Sequence, residues 1–457
     1  MPWLVATAFL HSSMIQRRKG MFKNWNMVLI ILIFTLSIFG TFLTRSGILS
    51  SVHAFSDTRL GPFFLGFLII TIVGSVGLLF WRRRELKSEV EMESLVSRES
   101  TFLLNNFLLV VAALAIFVGT VFPIISEAFR GTKITVGASF FNQVNGPIFL
   151  VIILLIGLCS LIGWRRSSNK NLVRNFLWPL LGAMIVAIIL IVTRIGQVYA
   201  TISFFLCSFV LFTILFEWFR GTHARHRTRK ENYVKAFFSL IGANRPRYGG
   251  YIVHVAIIFI TIGVIGTTFY SKETEAIIKP GETIEIGNYS LLYDKLDSYS
   301  TPNRYIVNAT FIVSNNGKMV GELKPEKQFD KYYQPVTEVA LRSTLVEDLY
   351  VILLGWDEDE TTAFKVLVNP LVNWIWIGGG ILLLGGLLGL WPDRQKLSTP
   401  EQVEVKRYSV LLHNITSFSS SGYQGRKMNW KTDIINILSA VYDFVDAFKH
   451  GVHGNRR

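Results

Sequence analysis

Cysteine and charged residues are both scarce in this sequence. Only two cysteines occur in 457 residues, and no Cys-x-x-Cys pair is present. This excludes a thiol oxidoreductase, and the lack of Cys-x-x-Cys-His excludes a chain that itself carries covalently attached haem. Charged residues make up 17% of the chain against 51% hydrophobic residues. A soluble globular protein of this length is therefore excluded as well.

Long apolar runs dominate the sequence instead. A run of about 18 or more apolar residues predicts a membrane-spanning helix. We therefore predict an α-helical polytopic membrane protein with about nine spans. The first span is short, and it lacks the leading charged segment of a signal peptide. Its Met-Pro-Trp start is more typical of a protein's interior, so we expect an N-terminal portion to be missing or encoded separately. The predicted spans are 1–15, 26–44, 62–81, 101–125, 147–164, 176–193, 198–217, 249–270 and 371–391.

The net charge of +15 follows an alternating pattern along the short loops. Loops with four to eight basic residues alternate with loops that carry one or two. The positive-inside rule places the basic set in the cytoplasm. The N-terminus is then outside and the C-terminus cytoplasmic, in a cell inner (plasma) membrane, and the charge indicates topology rather than nucleic-acid binding. The basic loops are 16–24, 82–100, 165–174 and 219–248, and the others are 45–61, 126–146 and 194–197.

One long segment between spans predicts a folded domain outside the cytoplasm. Residues 271–370 hold 16 of the 31 acidic residues and alternate apolar with polar residues in short runs. The run 304–314 leads into Asn316-Gly317, a two-residue hairpin signal. Together with the runs 338–340, 349–354 and 364–368, it predicts a small extracytoplasmic β-sandwich or barrel. The predicted organisation is 1–270 for the first eight transmembrane helices, 271–370 for the β domain, 371–391 for the last transmembrane helix and 392–457 for a cytoplasmic tail.

Carboxylates are missing from the middle of every predicted span, which disfavours ion-coupled transporters and proton pumps. Two histidines are present instead. His11 lies six residues before Arg17, and His254 lies seven residues after Arg247. At the helical rise, both are roughly 9–10 Å from a basic membrane edge, and the loop charges make it the same edge. Two imidazoles facing each other at one level suit a six-coordinate haem iron. The alternative is that each makes an interhelical hydrogen bond.

Other polar residues lie near the level of these histidines. Asn105 and Asn106 enter their span from the basic side, and either could hydrogen-bond an imidazole or a haem propionate. A helix–helix hydrogen bond is the alternative. Gly250 lies one turn from His254 and leaves room for a flat macrocycle. His53 lies in a predicted outer loop whose apolar neighbours would suit a haem face, although an exposed histidine often has no specific role.

Six short stretches occur in the order in which one known family carries them. Their sequences are MPWLVATAFLHS at 1–12, LTRSGILSSVHAF at 43–55, GGYIVH at 249–254, TEVAL at 337–341, DLYV at 348–351 and NPLVNWIWIGG at 369–379. Together they resemble the CcmF family of cytochrome c maturation proteins. The resemblance runs from residue 1 to about 393 and does not cover the tail beyond about 400.

This resemblance implies a membrane subunit of the haem lyase of the System I pathway, with cytochrome c synthase activity only as part of a complex. It implies that His11 and His254 are the axial ligands of a permanent haem b. It also implies that His53 is one of two outer histidines holding a substrate haem, which arrives on the chaperone CcmE. That haem is attached to apocytochrome c with CcmH-type and CcmI-type subunits, after reduction through the haem b by quinol electrons.

The sequence departs from the family in one respect. The tryptophan-rich WWD motif and the second outer histidine of the family are not present. The resemblance therefore implies a missing or separate N-terminal CcmF part that completes the substrate site. Two other functions are compatible with the sequence: a haem exporter or permease, and a non-catalytic assembly subunit. The first needs a path for haem through the membrane, and the second tolerates loss of His11 or His254.

Overall fold

A computed structural model describes residues 1–46, 60–87, 98–161, 169–193, 197–331 and 334–391. His53, the outer segment around it and the predicted tail from residue 392 lie outside the described residues. The described residues form ten helices and ten strands. The helices are α1 (Pro2–Lys19), α2 (Lys23–Arg45), α3 (Gly61–Arg82), α4 (Arg98–Arg130), α5 (Ala138–Leu161), α6 (Asn169–Val192), α7 (Val198–Arg229), α8 (Tyr233–Ala243), α9 (Arg245–Phe269) and α10 (Val372–Leu390).

Eight of these helices are long and apolar enough to cross a membrane, namely α2 to α7, α9 and α10. They correspond to eight of the nine predicted spans, so the polytopic helical class is confirmed. The remaining predicted span is also helical, as α1, but its 18 residues end in Arg17, Arg18 and Lys19. Its apolar part is therefore shorter than the roughly 20 residues that a complete crossing needs.

Contacts between helix ends define two faces of the helical region. Lys19 at the end of α1 forms an ion pair of 2.7 Å with Glu99 at the start of α4, which joins two of the basic segments. At the other face, Gln197 before α7 donates a hydrogen bond of 3.3 Å to the carbonyl of Phe269, where α9 ends and the β domain begins. The contact between Lys19 and Glu99 thus lies at one face of the helical region, and the β domain lies at the other.

Helices α9 and α10 pack against each other more closely than the other helix pairs, because glycines line their contact. A Cβ atom on Gly249 would lie 2.6 Å from the backbone nitrogen of Gly389. One on Gly378 would lie 2.8 Å from the carbonyl oxygen of Ala256. Small residues of this kind let two membrane helices approach to backbone contact, which fixes the position of α9 and the histidine it carries.

The β domain consists of two antiparallel sheets, so the predicted sandwich is what the structure contains. One sheet has the order β1-β10-β9-β8; the other has the order β2-β3-β4-β6-β7, with β5 also pairing with β4. The strands are β1 (Lys272–Ile278), β2 (Thr283–Ile286), β3 (Tyr289–Ser300), β4 (Arg304–Asn315), β5 (Lys318–Leu323), β6 (Glu326–Asp330), β7 (Val336–Glu338), β8 (Ala340–Ser343), β9 (Glu347–Trp356) and β10 (Thr362–Pro370).

Three buried aromatic rings join the two sheets. Tyr293 of β3 and Phe311 of β4 pack against Phe364 of β10, with ring centres 5.0 and 4.6 Å from it. The Tyr293 hydroxyl lies 3.0 Å from the hydroxyl of Thr362, so its polar end has a partner. The predicted strand 304–314 and its hairpin are confirmed. The predicted strand 338–340 is wrong, because it crosses the break at Val339 between β7 and β8, which belong to different sheets.

Candidate functional site

The structure brings His11 and His254 together. Their ring centres are 6.4 Å apart and their ring planes differ by 10°. Both side chains are half-buried. Helix α1 packs mainly on α2 and α4, whereas α9 packs mainly on α7 and α10. The two imidazoles therefore face each other across a gap between two groups of helices.

The spacing of the two rings excludes a direct hydrogen bond between them. A ring with bonds of about 1.35 Å has its nitrogens about 1.1 Å from its centre. At a ring-centre separation of 6.4 Å, nitrogens of the two rings are then at least about 4 Å apart, beyond hydrogen-bond reach. A metal atom between them would need about 2 Å to each nitrogen. The observed separation thus leaves room for one metal atom between the two rings.

The backbone of α1 fixes the tautomer of His11. Its Nδ1 lies 2.8 Å from the carbonyl oxygen of Thr7, one turn earlier. Because a carbonyl oxygen can only accept, Nδ1 carries the proton and Nε2 keeps its lone pair. A hydrogen bond from the second ring nitrogen is the usual way in which proteins orient a metal-binding imidazole. His11 is therefore prepared to act as a ligand through Nε2.

Open space and one aromatic ring lie next to the pair formed by His11 and His254. A Cβ atom on Gly250 would meet no atom within 4 Å, so the helix surface one turn from His254 is open. The ring of Phe102 on α4 lies 5.6 Å from the ring of His11, at 51° to it. Sequence reasoning did not identify Phe102. Its position four residues before Asn106, on the same face of a helix, was the available signal.

The two asparagines of α4 lie one turn beyond Phe102 on the same helix. Asn106 is completely buried, one helical turn beyond Phe102. Within the described part of the chain, neither the oxygen nor the nitrogen of its amide has a hydrogen-bond partner, and the amide oxygen of Asn105 has none either. The helix–helix hydrogen bond considered as the alternative for Asn106 is thus not made there. A buried amide without a partner is available to a polar group bound between the helices.

A buried ion-pair network holds α9 at the basic face. Glu217 of α7 is 5% exposed and pairs with Arg220 at 2.5 Å and with Arg247 of α9 at 3.0 Å. Arg247 also donates to the hydroxyl of Tyr251 at 3.2 Å. This network lies two turns before His254 and sets the depth of α9. The sequence showed Glu217 only at the end of its span; the signal missed was an arginine at the same membrane edge.

The arrangement favours a cofactor that brings its own metal ligands. A bare zinc ion needs three or four ligands from the protein. No group of three His, Cys, Asp or Glu side chains suited to a metal is found in the ranges that the structure describes. Two opposed imidazoles beside open space, an aromatic ring and an unpartnered amide instead fit a metalloporphyrin, whose macrocycle supplies the other four ligands.

Comparison with known proteins extends these observations to most of the chain. Residues 269–370 match the family model for the CcmF C-terminal β-sandwich. The chain is 34% identical over 411 residues to the cytochrome c-type biogenesis protein CcmF of Pseudomonas aeruginosa, covering 88% of this chain and 60% of that protein. It is 31% identical over 401 residues to the Escherichia coli protein of the same name, covering 87% and 59%.

One solved structure matches as well. The cytochrome c haem lyase CcmF aligns with a TM-score of 0.67 at 28% identity, over 86% of this chain and 58% of that one. The chain thus spans about 60% of the length of the curated relatives it matches.

Proposed function

We propose that this chain, which is similar to CcmF proteins over about 60% of their length, is a haem-binding membrane subunit for cytochrome c maturation. The observation that carries the proposal is the opposed pair His11 and His254, whose ring separation leaves room for one shared metal atom. The similarity to CcmF proteins and the geometry of the pair both support this proposal.

Several residues of this chain would each contribute to holding a haem b. His11 and His254 would hold the iron, and the carbonyl of Thr7 would keep His11 in the ligand tautomer. The open surface at Gly250 accommodates the macrocycle. Asn106 supplies a hydrogen bond to a polar edge of the group, for which a propionate is the natural acceptor. A haem held by these residues would supply one-electron transfer.

The wider reaction includes components outside this chain. We propose that the chain acts with CcmH-type and CcmI-type subunits and with a further N-terminal CcmF part. The substrate haem comes from the chaperone CcmE and is attached to apocytochrome c, and quinol supplies the electrons. His53 is proposed as one ligand of the substrate haem. Thioether formation needs reduced thiols and ferrous haem. An electron-transferring haem would keep the substrate haem in the ferrous state.

Formation of c-type cytochromes in cells tests this function. The chain is produced together with the other components of its maturation system, in a strain that lacks its own copy. We expect His11→Leu and His254→Leu each to abolish the haem-stained c-type cytochromes while the chain itself remains in the membrane. His226→Leu, on the basic extension of α7, is the matched control and should support normal formation. Normal formation with both variants would favour a non-catalytic assembly subunit instead.

A further inference from the structure

The turn between β8 and β9 is fastened to the first turn of a membrane-spanning helix. The backbone nitrogen of Leu371 donates to the carbonyl of Val346 at 2.8 Å. The indole nitrogen of Trp374 donates to the carbonyl of Leu345 at 3.0 Å. The amide of Asn373 donates to the carbonyl of Thr344 at 2.5 Å. Three successive carbonyls of the turn are thus bonded to the N-terminal end of α10, where the span begins.

The side chains at the tip of this turn are apolar and point away from the protein. Leu345 is 68% exposed and Val346 is 67% exposed. Nearby on α10, Trp376 is 75% exposed. Tryptophan is enriched where a membrane helix leaves the hydrocarbon region. The apolar tip therefore lies beside the end of a helix that is long enough to cross a membrane.

The opposite end of the same sandwich is acidic, whereas the tip at Leu345 and Val346 is apolar. The turn between β9 and β10 contains four consecutive acidic residues, Asp357 to Glu360. It is separated from the first turn by the ten residues of β9, which span about 33 Å at the strand rise. A charged turn far from the membrane and an uncharged apolar turn beside it, on one domain, indicate that the second is matched to lipid.

We propose that Leu345 and Val346 insert into the lipid leaflet on the β-domain side and anchor the sandwich to the membrane surface. The turn is suited to this environment because most of its backbone polar groups are bonded, and lipid offers them no partners. Besides the three carbonyls, the backbone nitrogens of Val346 and Glu347 bond to the hydroxyl of Thr344, at 3.3 and 3.1 Å. This inference does not depend on the haem site.

The position and the small size of the tip both favour contact with lipid over contact with a protein partner. The tip is continuous with α10, whose apolar stretch begins at Val372 and is long enough to cross a membrane. Two neighbouring apolar side chains form a contact much smaller than the roughly 800 Å² per partner of a stable protein interface. Two such side chains are sufficient, however, to enter the interfacial zone of a bilayer next to an existing span.

Spin-label accessibility in lipid nanodiscs tests the inference on the full chain. Nitroxide labels are attached to L345C and V346C in a background carrying Cys159→Ala and Cys207→Ala. Glu358→Cys, at the acidic turn, is the matched control. We expect collisions with oxygen to exceed those with a water-soluble nickel chelate several-fold at 345 and 346, and the reverse at 358. Because both reporter side chains are already exposed, labelling should not disturb the fold.

Two results would overturn the inference. If the labels at 345 and 346 are as accessible to the nickel chelate as the label at 358, the tip lies in water. If the nickel chelate is excluded only when other subunits are added, the tip contacts a protein partner instead of lipid.

Discussion

The buried amide of Asn106 lowers the stability of the folded chain, and helix packing does not explain why it is there. Its amide is completely buried between helices, and neither polar atom has a partner within the described ranges. Leaving a buried polar group unsatisfied costs about 1–3 kcal/mol. A residue retained in such a position is better explained by a bound group that it contacts than by the stability of the chain.

Replacing Asn106 by Leu should therefore have opposite effects on stability and binding. We expect the free energy of unfolding of the haem-free chain to stay constant or rise by about 1–2 kcal/mol, because a costly amide is removed. Haem affinity should fall about tenfold, equivalent to the loss of roughly 1.4 kcal/mol. Haem titration and unfolding in mixed micelles measure the two quantities.

The matched control is Asn145→Leu. Asn145 is also buried with an unpartnered amide oxygen, but it lies on α5. Its replacement should leave haem affinity unchanged. A destabilised Asn106→Leu chain with normal haem affinity would contradict the role assigned to Asn106.

Asp359 gives a prediction about acid stability. Its hydrogen bond from Lys279, at 2.9 Å, lowers the pKa of the Asp359 carboxyl to about 2. Since an unfolded aspartate has a pKa of about 3.9, the pair favours the folded state above that pH. The contribution is lost as pH falls from about 4 to about 2. Asp359→Asn should flatten the decline of Tm across this interval.

Glu358→Gln serves as the control for that experiment, since no ion pair of Glu358 is found in the described part of the chain. The effect should shrink at high salt, because both partners are exposed. An unchanged dependence of Tm on pH in Asp359→Asn would show that the pair does not contribute.

Individual residues differed in how far the sequence could identify them. The pairing of His11 and His254 was predictable because each lies a counted number of residues from a basic edge of a helix. Phe102 was not, since apolar side chains near a site resemble those facing lipid. The partnership of Glu217 with Arg247 was also missed, because the depth of each helix depends on packing that a single sequence does not contain.

At the scale of the helices, the glycine-lined contact between α9 and α10 leads to a prediction about the stability of two alanine variants. Gly378 and Gly379 are adjacent, yet a Cβ atom on Gly378 would lie 2.8 Å from the carbonyl of Ala256, and one on Gly379 would meet nothing within 4 Å. Gly378→Ala should therefore force the helices apart and destabilise the chain by about 1–3 kcal/mol. Gly379→Ala should be neutral or stabilising by up to about 1 kcal/mol, through helix propensity.

Thermal unfolding in detergent distinguishes the two alanine variants. Equal midpoints for Gly378→Ala and Gly379→Ala would contradict the close approach of α9 and α10.

The sequence predicted the elements that have a clear hydropathy pattern or turn signal. It did not predict those whose limits depend on the order of strands in the sheets or on packing. Eight spans follow directly from hydropathy, and the hairpin at Asn316 and Gly317 follows from its turn residues. The error at 338–340 arose because alternation continues while the chain passes from one sheet to the other at Val339. Helix α8 was missed because its eleven residues lie within a loop that the basic residues dominate.

For the chain as a whole, the two faces of the helical region should lie on opposite sides of the membrane. The basic excess of the loops predicts that the α7–α8 end is cytoplasmic and the β domain is outside. Thr228 and Ser298 are exposed at these two ends. In a background without the two native cysteines, we expect Ser298→Cys to react with an impermeant maleimide in intact cells. Thr228→Cys should react only after permeabilisation, and equal labelling of both would contradict the opposed faces.

The proposed pairing of His11 and His254 on one haem iron is tested most directly by spectroscopy of the purified full chain in detergent after titration with haem. Absorption and electron paramagnetic resonance should report a low-spin, six-coordinate iron in the unaltered chain and in His226→Ala. His11→Ala and His254→Ala should each give a high-spin, five-coordinate iron or bind no haem. A low-spin spectrum that persists unchanged in both variants would contradict the pairing.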